Sequence, residues 1–447
     1  MTAIRSRRNR NTVVALVVSV LSLLAVAVFG VIGARTLADS TAGQLAEGQK
    51  FTTAVQRLPF TPTALIGVAD EDGRLTSVAV GVLEPDGVGG SLIVLAASAD
   101  ASSGNNTVLV PLDAELALNG PDAFREAAER LTGLSFDVIE VLDQRRFVQI
   151  VNPLGDLPTS LPFPLIDSST GEQWEAGELV LSSASAARAL AARDESIADW
   201  YLEPSRVAIW EAVADRVGAG VGSVAPIASD QDLPSIATLD EFFRRLFAAP
   251  LQIRALSFVV IGDERVDEQL SDELAAVFGT TDIDAVVAHN RSETLMAFGA
   301  IAPGRLGAPI DGPTFRVVSG YSEADLVDLA ALGKNRSDVL KLTLDRLLFN
   351  RTNIVAIADL PGAGAPEITQ FRVADPLIID DVRAVFGDLF GPLEVTAADV
   401  VIEGVDIELE LGRSYIDTLR GEIGDVVAGS EDDASTEASN DVNTAGG

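Results

Sequence analysis

The stretches Thr63-Ala-Leu-Ile-Gly-Val-Ala69 and Leu75-Thr-Ser-Val-Ala-Val-Gly-Val-Leu83 decide the fold of this chain. Each is an apolar run, and the turn sequence Asp70-Glu-Asp-Gly73 separates them, a pattern that predicts two strands joined by a tight turn. A third run of this kind, Ser91–Ala97, follows a segment rich in Pro and Gly. We therefore predict that three strands open the first folded unit.

Helical and strand-like patterns alternate after these strands. Asn119-Gly-Pro121 predicts a helix start with proline near the first turn, and acidic residues follow it at the positive end of the helix. This mixed order predicts an α/β (mixed α+β) layered domain. The other elements predicted for the unit are a strand at 136–142 and helices at 144–154, 181–193 and 204–217.

Proline and glycine concentrate in Ala302–Pro313, which predicts a linker to a second, smaller α/β sandwich. Its predicted strands are 314–319, 353–358, 369–373 and 405–411, and its predicted helices begin at Glu323 or span 340–348 and 380–389. The predicted organisation is a basic tail at 1–11, a membrane helix at 12–34, a helical stalk at 35–58, domains at 59–301 and 314–420, and a disordered acidic tail at 421–447.

The N-terminal sequence predicts membrane attachment. The uncharged apolar run Thr12–Ala34 exceeds the roughly 20 residues that a helix needs to cross a bilayer. Four arginines precede it, which predicts a cytoplasmic N-terminus and a body outside the cell: Arg5, Arg7, Arg8 and Arg10. A cleaved secretory signal is the alternative, because Thr36 and Ala38 resemble a small-residue cleavage site. Both interpretations export the body.

Composition excludes several classes of function. The formal net charge of −34 disfavours binding to nucleic acid, and with an exported body it argues against transcriptional regulation. The chain has no cysteine, which removes disulfides and thiol chemistry, and its one histidine, His289, cannot form a multi-histidine metal site. We predict that His289 lies in a turn or at a strand end. Aromatic residues make up 5% of the chain, too few for a long sugar-stacking platform.

The order of these parts, and several segments, resemble the LytR-CpsA-Psr family of cell-wall proteins with a LytR C-terminal module. The opening strand with Asp70, Asp72 and Arg74 is similar to the family's first acidic and arginine-bearing segment. Further similar segments are Asn119–Asp143, Val151–Asp156, Glu178–Arg193, Asp199–Arg206 and Ile402–Tyr415.

The resemblance implies a phosphotransferase that attaches a polyprenyl-pyrophosphate-linked glycopolymer to peptidoglycan with the help of Mg²⁺ or Mn²⁺. Arginines are suited to the diphosphate, and carboxylates to the metal. Carried over, the candidate pyrophosphate contacts are Arg74, Arg193 and Arg206, and the candidate metal ligands are Asp70 and Asp72. Asp70-Glu-Asp-Gly73 is also compatible with an ordinary turn, and the arginines with local salt bridges.

The chain departs from the family pattern at charged positions. Leu95-Ala-Ala-Ser-Ala-Asp100 replaces the family's Ser-Ile-Pro-Arg-Asp-Thr, and no carboxylate follows Arg74, where Leu75-Thr-Ser77 stands. Ala191 and Val207 replace an arginine and a glutamine of the helix pair. Each lost contact to a charged group weakens binding by about 1.5–3 kcal/mol.

Two hypotheses follow from these departures. The first is a degenerate, non-catalytic accessory or binding protein in cell-wall polymer assembly. The second is a divergent metal-dependent transferase that uses other arginines, such as Arg145, Arg146 or Arg188. A transferase should have several arginines and a carboxylate at the mouth of a deep apolar pocket, whereas scattered arginines favour the binding protein.

Overall fold

The computed structural model describes residues 54–102, 109–226, 236–261 and 286–423. The strands, numbered in chain order, are β1 Ala54–Gln56, β2 Thr63–Ala69, β3 Leu75–Leu83, β4 Gly90–Leu95, β5 Val138–Leu142, β6 Leu157–Leu161, β7 Leu165–Ile166, β8 Gln173–Trp174, β9 Gly177–Leu181, β10 Leu251–Ala255, β11 Phe258–Val260, β12 Val287–His289, β13 Thr314–Ser319, β14 Asn353–Asp359, β15 Thr369–Val373, β16 Leu393–Ala397, β17 Val400–Ile402 and β18 Ile407–Glu410.

The helices are α1 Leu112–Thr132, α2 Gln144–Val151, α3 Ser183–Ala191, α4 Glu203–Val217, α5 Leu239–Leu246, α6 Arg291–Ile301, α7 Val327–Ala331, α8 Arg336–Phe349, α9 Ile379–Phe390 and α10 413–423. Short 3₁₀ turns stand at Asn152–Leu154, Asp199–Tyr201, Glu323–Leu326 and Pro376–Ile378. Helix α1 contains a break at Gly120, whose φ of 82° is outside the helical region.

The first unit is a five-stranded mixed sheet in the order β10-β4-β3-β2-β5. Strand β3 pairs antiparallel with β2 and β4, whereas β5 and β10 join the edges in parallel. Every residue of β2, β3 and β4 is buried. Alternate side chains enter two separate cores, with Leu65 in one and Ile66 in the other. The continuous apolar runs therefore reflect a sheet that is covered on both faces.

The second unit is a five-stranded sheet in the order β14-β13-β18-β15-β16, with β18 antiparallel to β15 and the other pairs parallel. Its core is continuous with one core of the first unit. Helix α6 lies at this junction, where Gly299 allows close packing: a Cβ there would lie 2.9 Å from Ile357 Cγ1. The two units are therefore joined through packed side chains as well as through the chain.

Strand β1 connects the start of the described chain to the second unit. It pairs in parallel with β17, Arg57 forms an ion pair with Glu403, and Leu58 packs against Val355 and Ile402. The predicted helical stalk at 35–58 is therefore wrong for residues 54–56, because backbone pairing with β17 holds them extended. The predicted linker at 302–313 also makes contacts, since Arg305 donates to Thr61 O at 2.9 Å and forms an ion pair with Asp137.

The ends of the predicted organisation fall largely outside the described residues. The predicted membrane helix at 12–34 and the basic tail at 1–11 lie outside them. Within the described ranges, no helix combines the length and apolarity required to cross a membrane. The predicted disordered tail begins too early, because residues 421–423 continue α10, and residues 424–447 lie outside the described part.

Candidate functional site

Asp70 organises the turn between β2 and β3. Its Oδ1 accepts hydrogen bonds from the backbone N–H groups of Asp72 at 3.0 Å and Arg74 at 2.8 Å. Gly73 completes the turn with a φ of 81°, a left-handed conformation that glycine adopts without strain. One oxygen of the candidate metal ligand Asp70 thus serves the turn itself, as in an Asx turn.

The structure brings four of the predicted site residues together at this turn: Asp70, Asp72, Arg74 and Arg193. Burial raises the pKa of Asp70, while hydrogen bonding within the turn and the positive charge of Arg193 oppose the rise. Burial also lowers the pKa of Arg74, and the neighbouring Arg193 lowers it further. Asp72 and Glu195 supply negative charge to the same place. We call Asp70, Asp72, Arg74, Arg193 and Glu195 the rim cluster.

Arg206 has a different environment from the rim cluster. Its side chain has no exposed surface, and its guanidinium binds both carboxylate oxygens of Asp199, at 2.6 and 2.7 Å. The same group donates to Ala192 O at 3.0 Å and to Glu203 Oε1 at 3.4 Å. A pyrophosphate could reach Arg206 only after this buried ion pair had opened. We call Arg206, Asp199 and Glu203 the buried cluster.

The charges of the buried cluster depend on one another. Burial raises the pKa of Glu203 to about 7, although Arg206 pulls it in the opposite direction. Burial by itself lowers the pKa of Arg206, but Asp199 and Glu203 more than offset it, so that the net pKa is raised. One arginine with one fixed carboxylate and one protonatable carboxylate allows this site to be electrically neutral, as a buried site requires.

Most of the residues that replace the family's charged segments are buried, and several of the polar ones bond to other parts of the protein. Thr76 donates to Val68 O at 3.1 Å, and Ser77 accepts from Trp210 Nε1 at 3.2 Å. In the segment Leu95–Asp100, Ala97 and Ala99 have 1% and 0% of their surface exposed. Asp100 accepts from the N–H of Ser102, so its carboxylate closes a turn.

The other candidate arginines, Arg145, Arg146 and Arg188, lie in two environments. Arg146 forms ion pairs with Glu140 at 2.7 Å and Asp240 at 2.9 Å. Arg188 makes a two-pronged contact with Glu172, at 2.6 and 3.0 Å, and lines an open cavity of 620 Å³. Arg145 also lines this cavity, together with three carboxylates: Asp70, Glu71 and Asp143. The lining therefore carries more acidic than basic groups, which disfavours an anionic ligand.

A second cavity, of 440 Å³, lies beside the buried cluster and is mostly apolar. Its described lining contains three polar side chains and no arginine. We call it the apolar pocket, and its lining residues are Val94, Ala96, Ser160, Pro162, Glu203, Pro204, Val207, Ala208, Glu211, Ala255, Leu256 and Phe258. The arginines of the polar cavity and the walls of the apolar pocket are therefore different sets of residues.

The carboxylates in the part of the chain that the structure describes do not fit a divalent metal. Mg²⁺ and Mn²⁺ prefer several oxygen ligands around one point. Among residues 54–102, 109–226, 236–261 and 286–423, no three His, Asp or Glu side chains are placed to hold a metal. Asp70 already bonds two backbone N–H groups. We therefore derive no chemical step through a metal.

Sequence reasoning did not single out Glu203, which the structure places in the buried cluster. The signal was available, because Asp199, Glu203 and Arg206 are spaced at i, i+4 and i+7, which places them on one face of a helical segment. The prediction for His289 is confirmed, because it ends strand β12.

Comparisons with known proteins give structural matches. No sequence model of a protein family matches the chain, and no curated protein matches it. A LytR-Csp2A-Psr enzyme from Actinomyces oris is 17% identical with a TM-score of 0.34, and the match covers 55% of this chain and 95% of the enzyme.

Two further matches have similar coverage. B. subtilis TagV is 14% identical with a TM-score of 0.36, covering 54% of this chain and 94% of TagV. A structure of TagT bound to LIIa-WTA is 14% identical with a TM-score of 0.35, covering 53% of this chain and 98% of TagT.

Proposed function

We propose that this chain is a non-catalytic accessory protein in cell-wall polymer assembly, which binds the polymer and does not transfer it. The proposal includes membrane anchoring through residues 12–34 and a body outside the cell, as the arginine-flanked apolar run predicts. The sequence resemblance supports the setting. The separation of arginines from the apolar pocket supports the absence of turnover.

The composition of the described pocket lining is the observation that supports a non-catalytic protein. A transferase has to neutralise a diphosphate at the mouth of the pocket that holds the rest of its substrate. Here the described lining of the apolar pocket has no arginine. The nearby Arg206 is already bound in an ion pair with Asp199. At the positions of the family's charged segment stand buried alanines such as Ala97 and Ala99.

The rim cluster supports a second candidate, a divergent transferase. Arg74 and Arg193 lie close to each other and to Asp70, which resembles a fragment of a diphosphate site. In such a reaction a peptidoglycan hydroxyl would form a bond to the sugar-linked phosphorus. The P–O–P bond would break, polyprenyl phosphate would leave, and the hydroxyl proton would pass to a base.

Incubation of the exported body with a polyprenyl-pyrophosphate-linked saccharide and peptidoglycan separates the two candidates. We expect no release of polyprenyl phosphate, with or without Mg²⁺ or Mn²⁺, and we expect the protein to sediment with insoluble cell wall that retains its polymer. Metal-dependent release that is lost in Arg193→Ala would establish the transferase. Absence of both sedimentation and release would contradict both candidates.

A further inference from the structure

A third cavity lies where the two units meet, and we call it the junction groove. Its volume of 710 Å³ falls within the range of about 300–1,000 Å³ that is usual for binding sites. The end of α1, the start of α6 and the linker at 302–313 form one side, and the end of α8 and the start of β14 form the other. Its described lining shares no residue with the rim cluster or the apolar pocket, so it is a separate site.

The linker presents an open backbone edge in the lining of the junction groove. Leu306 forms an antiparallel bridge with Leu134. Two backbone hydrogen bonds flank the bridge, one donated by the N–H of Gly307 at 2.8 Å and one accepted by Arg305 O at 3.2 Å. In a pair of this kind the N–H and C=O of Leu306 point away from Leu134. No described residue forms a hydrogen bond with either group, so this edge can pair with another extended chain.

A buried hydroxyl in the lining of the same groove has no hydrogen-bond partner. Thr352 lines the junction groove with 1% of its surface exposed, and its Oγ1 has no partner among the described residues. The next residue, Asn353, is also buried, yet its side chain donates to Ile310 O at 2.8 Å and to Gly312 O at 3.0 Å. Buried polar atoms nearly always have a partner, so the hydroxyl of Thr352 marks a place where one is missing.

The junction groove has more basic than acidic side chains, although the chain as a whole has 66 acidic and 32 basic residues. Its described charged residues are Arg130, Arg291, Arg305, Glu126 and Glu129. Two of them are matched by neighbours outside the lining, because Arg305 forms an ion pair with Asp137 and Glu129 forms one with Arg125.

The remaining charges of the groove are two arginines and one glutamate. Arg291 is exposed, and no described residue forms a hydrogen bond or an ion pair with it. Arg130 is also exposed and reaches Glu115 only at 3.6 Å, which is too long for a hydrogen bond. Glu126 is exposed and opposes them. One positive charge is therefore in excess, which favours an acidic ligand over a basic one.

Two exposed aromatic rings lie next to residues of the groove. The Phe60 ring is 42% exposed, and the guanidinium of Arg305 lies 3.9 Å from its centroid. Phe349 is 86% exposed and follows Leu348, which belongs to the lining. Exposed aromatic side chains are enriched where proteins bind one another, so both rings are available to the apolar side chains of a partner.

We propose that the junction groove binds an extended, acidic segment of a partner protein. The segment pairs along its main chain with the N–H and C=O of Leu306, as in the addition of a strand to an open edge. The hydroxyl of Thr352 bonds to a peptide group, Arg291 pairs with an acidic side chain, and apolar side chains contact Phe60 and Phe349. This interaction is additional to the proposed function and does not depend on it.

Other occupants match the junction groove less well. A basic segment would bring like charge to Arg130 and Arg291. A small anion could pair with Arg291 but would leave the backbone groups of Leu306 unpaired. A helical segment bonds its own backbone groups internally, so it would leave them unpaired too. An extended acidic segment satisfies both the backbone edge and the arginines.

Fluorescence anisotropy with three labelled octapeptides and the exported body tests the proposal. The first peptide alternates glutamate and leucine, the second is the same peptide with every backbone nitrogen methylated, and the third alternates lysine and leucine. We expect saturable binding of the first below about 1 mM, the weak end of specific binding. The methylated peptide and the lysine peptide should each bind at least about tenfold more weakly, because one lacks main-chain donors and the other carries the wrong charge.

Arg291→Glu should weaken binding of the acidic peptide at least about tenfold and strengthen binding of the lysine peptide. Arg254→Glu is the matched control, because Arg254 is an exposed arginine of β10 outside the groove lining, and it should bind as the wild type does. Thr352→Val should weaken binding by about threefold to tenfold. It should not lower the midpoint of thermal unfolding, because the hydroxyl bonds to no described residue.

Three results would overturn the proposal. They are no saturable binding of the acidic peptide, equal binding of the acidic and lysine peptides, and equal binding by Arg291→Glu and Arg254→Glu. If the methylated peptide binds as well as the unmethylated one, pairing with Leu306 is wrong. Sedimentation with intact cell wall tests the proposed function separately, and Arg291→Glu should leave it unchanged.

Discussion

Arg206 and Arg193 begin from the same sequence-based prediction and end in opposite environments. Arg206 has no exposed surface and is bound on both prongs by Asp199. Arg193 lies partly exposed in the rim cluster, beside Arg74 and Asp70. An arginine in a family-like segment is thus a ligand candidate only where the tertiary structure leaves its guanidinium within reach. At Arg206, the structure uses the same chemistry to hold its own core.

The difference between the two arginines should be largest in stability. We expect Arg206→Ala to lower the free energy of unfolding by about 3–5 kcal/mol, because Asp199 and Glu203 would be left as uncompensated buried acids. Arg193→Ala, its matched control, should change the free energy by about 0.5 kcal/mol or less, as for other surface substitutions. Urea denaturation of both variants measures these free energies of unfolding. Equal losses would contradict the assignment of Arg206 to a buried ion pair and of Arg193 to the surface.

The buried cluster should also make stability depend on pH. The pKa of Glu203 is about 7 in the folded protein and about 4.5 when exposed, so its contribution is fully present below pH 4.5. Between pH 4.5 and 7 the unfolded chain loses this proton first, so stability falls by about 3 kcal/mol over that range and levels off above the folded pKa. Glu203→Gln should flatten this part of a curve of unfolding free energy against pH. An unchanged curve would mean that Glu203 is ionised in the fold.

The two acids of the turn should differ by a smaller amount. Asp70→Ala removes an acceptor of two backbone hydrogen bonds and should cost about 1 kcal/mol. Asp72→Ala alters an exposed side chain and should cost close to nothing. Thermal unfolding of the pair measures the difference. A larger loss in Asp72→Ala would mean that Asp72, and not Asp70, is the acid that stabilises the turn.

Removal of divalent metal should have the smallest effect. The described residues offer no group of three acids or histidines for an ion, and we expect EDTA to leave the midpoint of thermal unfolding unchanged within about 1 °C. Magnesium or manganese added after EDTA should also leave it unchanged. A metal-dependent rise would indicate a site and would favour the transferase, because binding to the folded state alone stabilises it.

Local sequence predicted the elements that are long and continuously apolar. The bounds of β2 and β3 are those predicted, because each strand is buried on both faces and its run ends at a turn. Strand β10 was not predicted. Its five residues show no regular alternation of buried and exposed positions. Its place beside β4 depends on a parallel pairing with a strand about 160 residues earlier in the chain.

The structure places some of the predicted site residues together and separates another from them. The sequence named Asp70, Arg74 and Arg193, and the structure brings Arg193 to the other two although it lies more than 100 residues further along the chain. It also named Arg206, which the structure buries, and did not name Glu203, whose shifted pKa follows from burial. The charge and spacing of these residues can be deduced from the sequence, but their exposure to solvent cannot.

The sequence by itself determined the mixed α/β class, the two units, the opening strands and the absence of cysteine chemistry, because these follow from local runs and composition. The tertiary structure alone decided which arginines are enclosed, that β1 pairs with β17, and that the described lining of the apolar pocket contains no arginine. These properties depend on contacts between distant segments, and such contacts fix burial and therefore the energy of each charge.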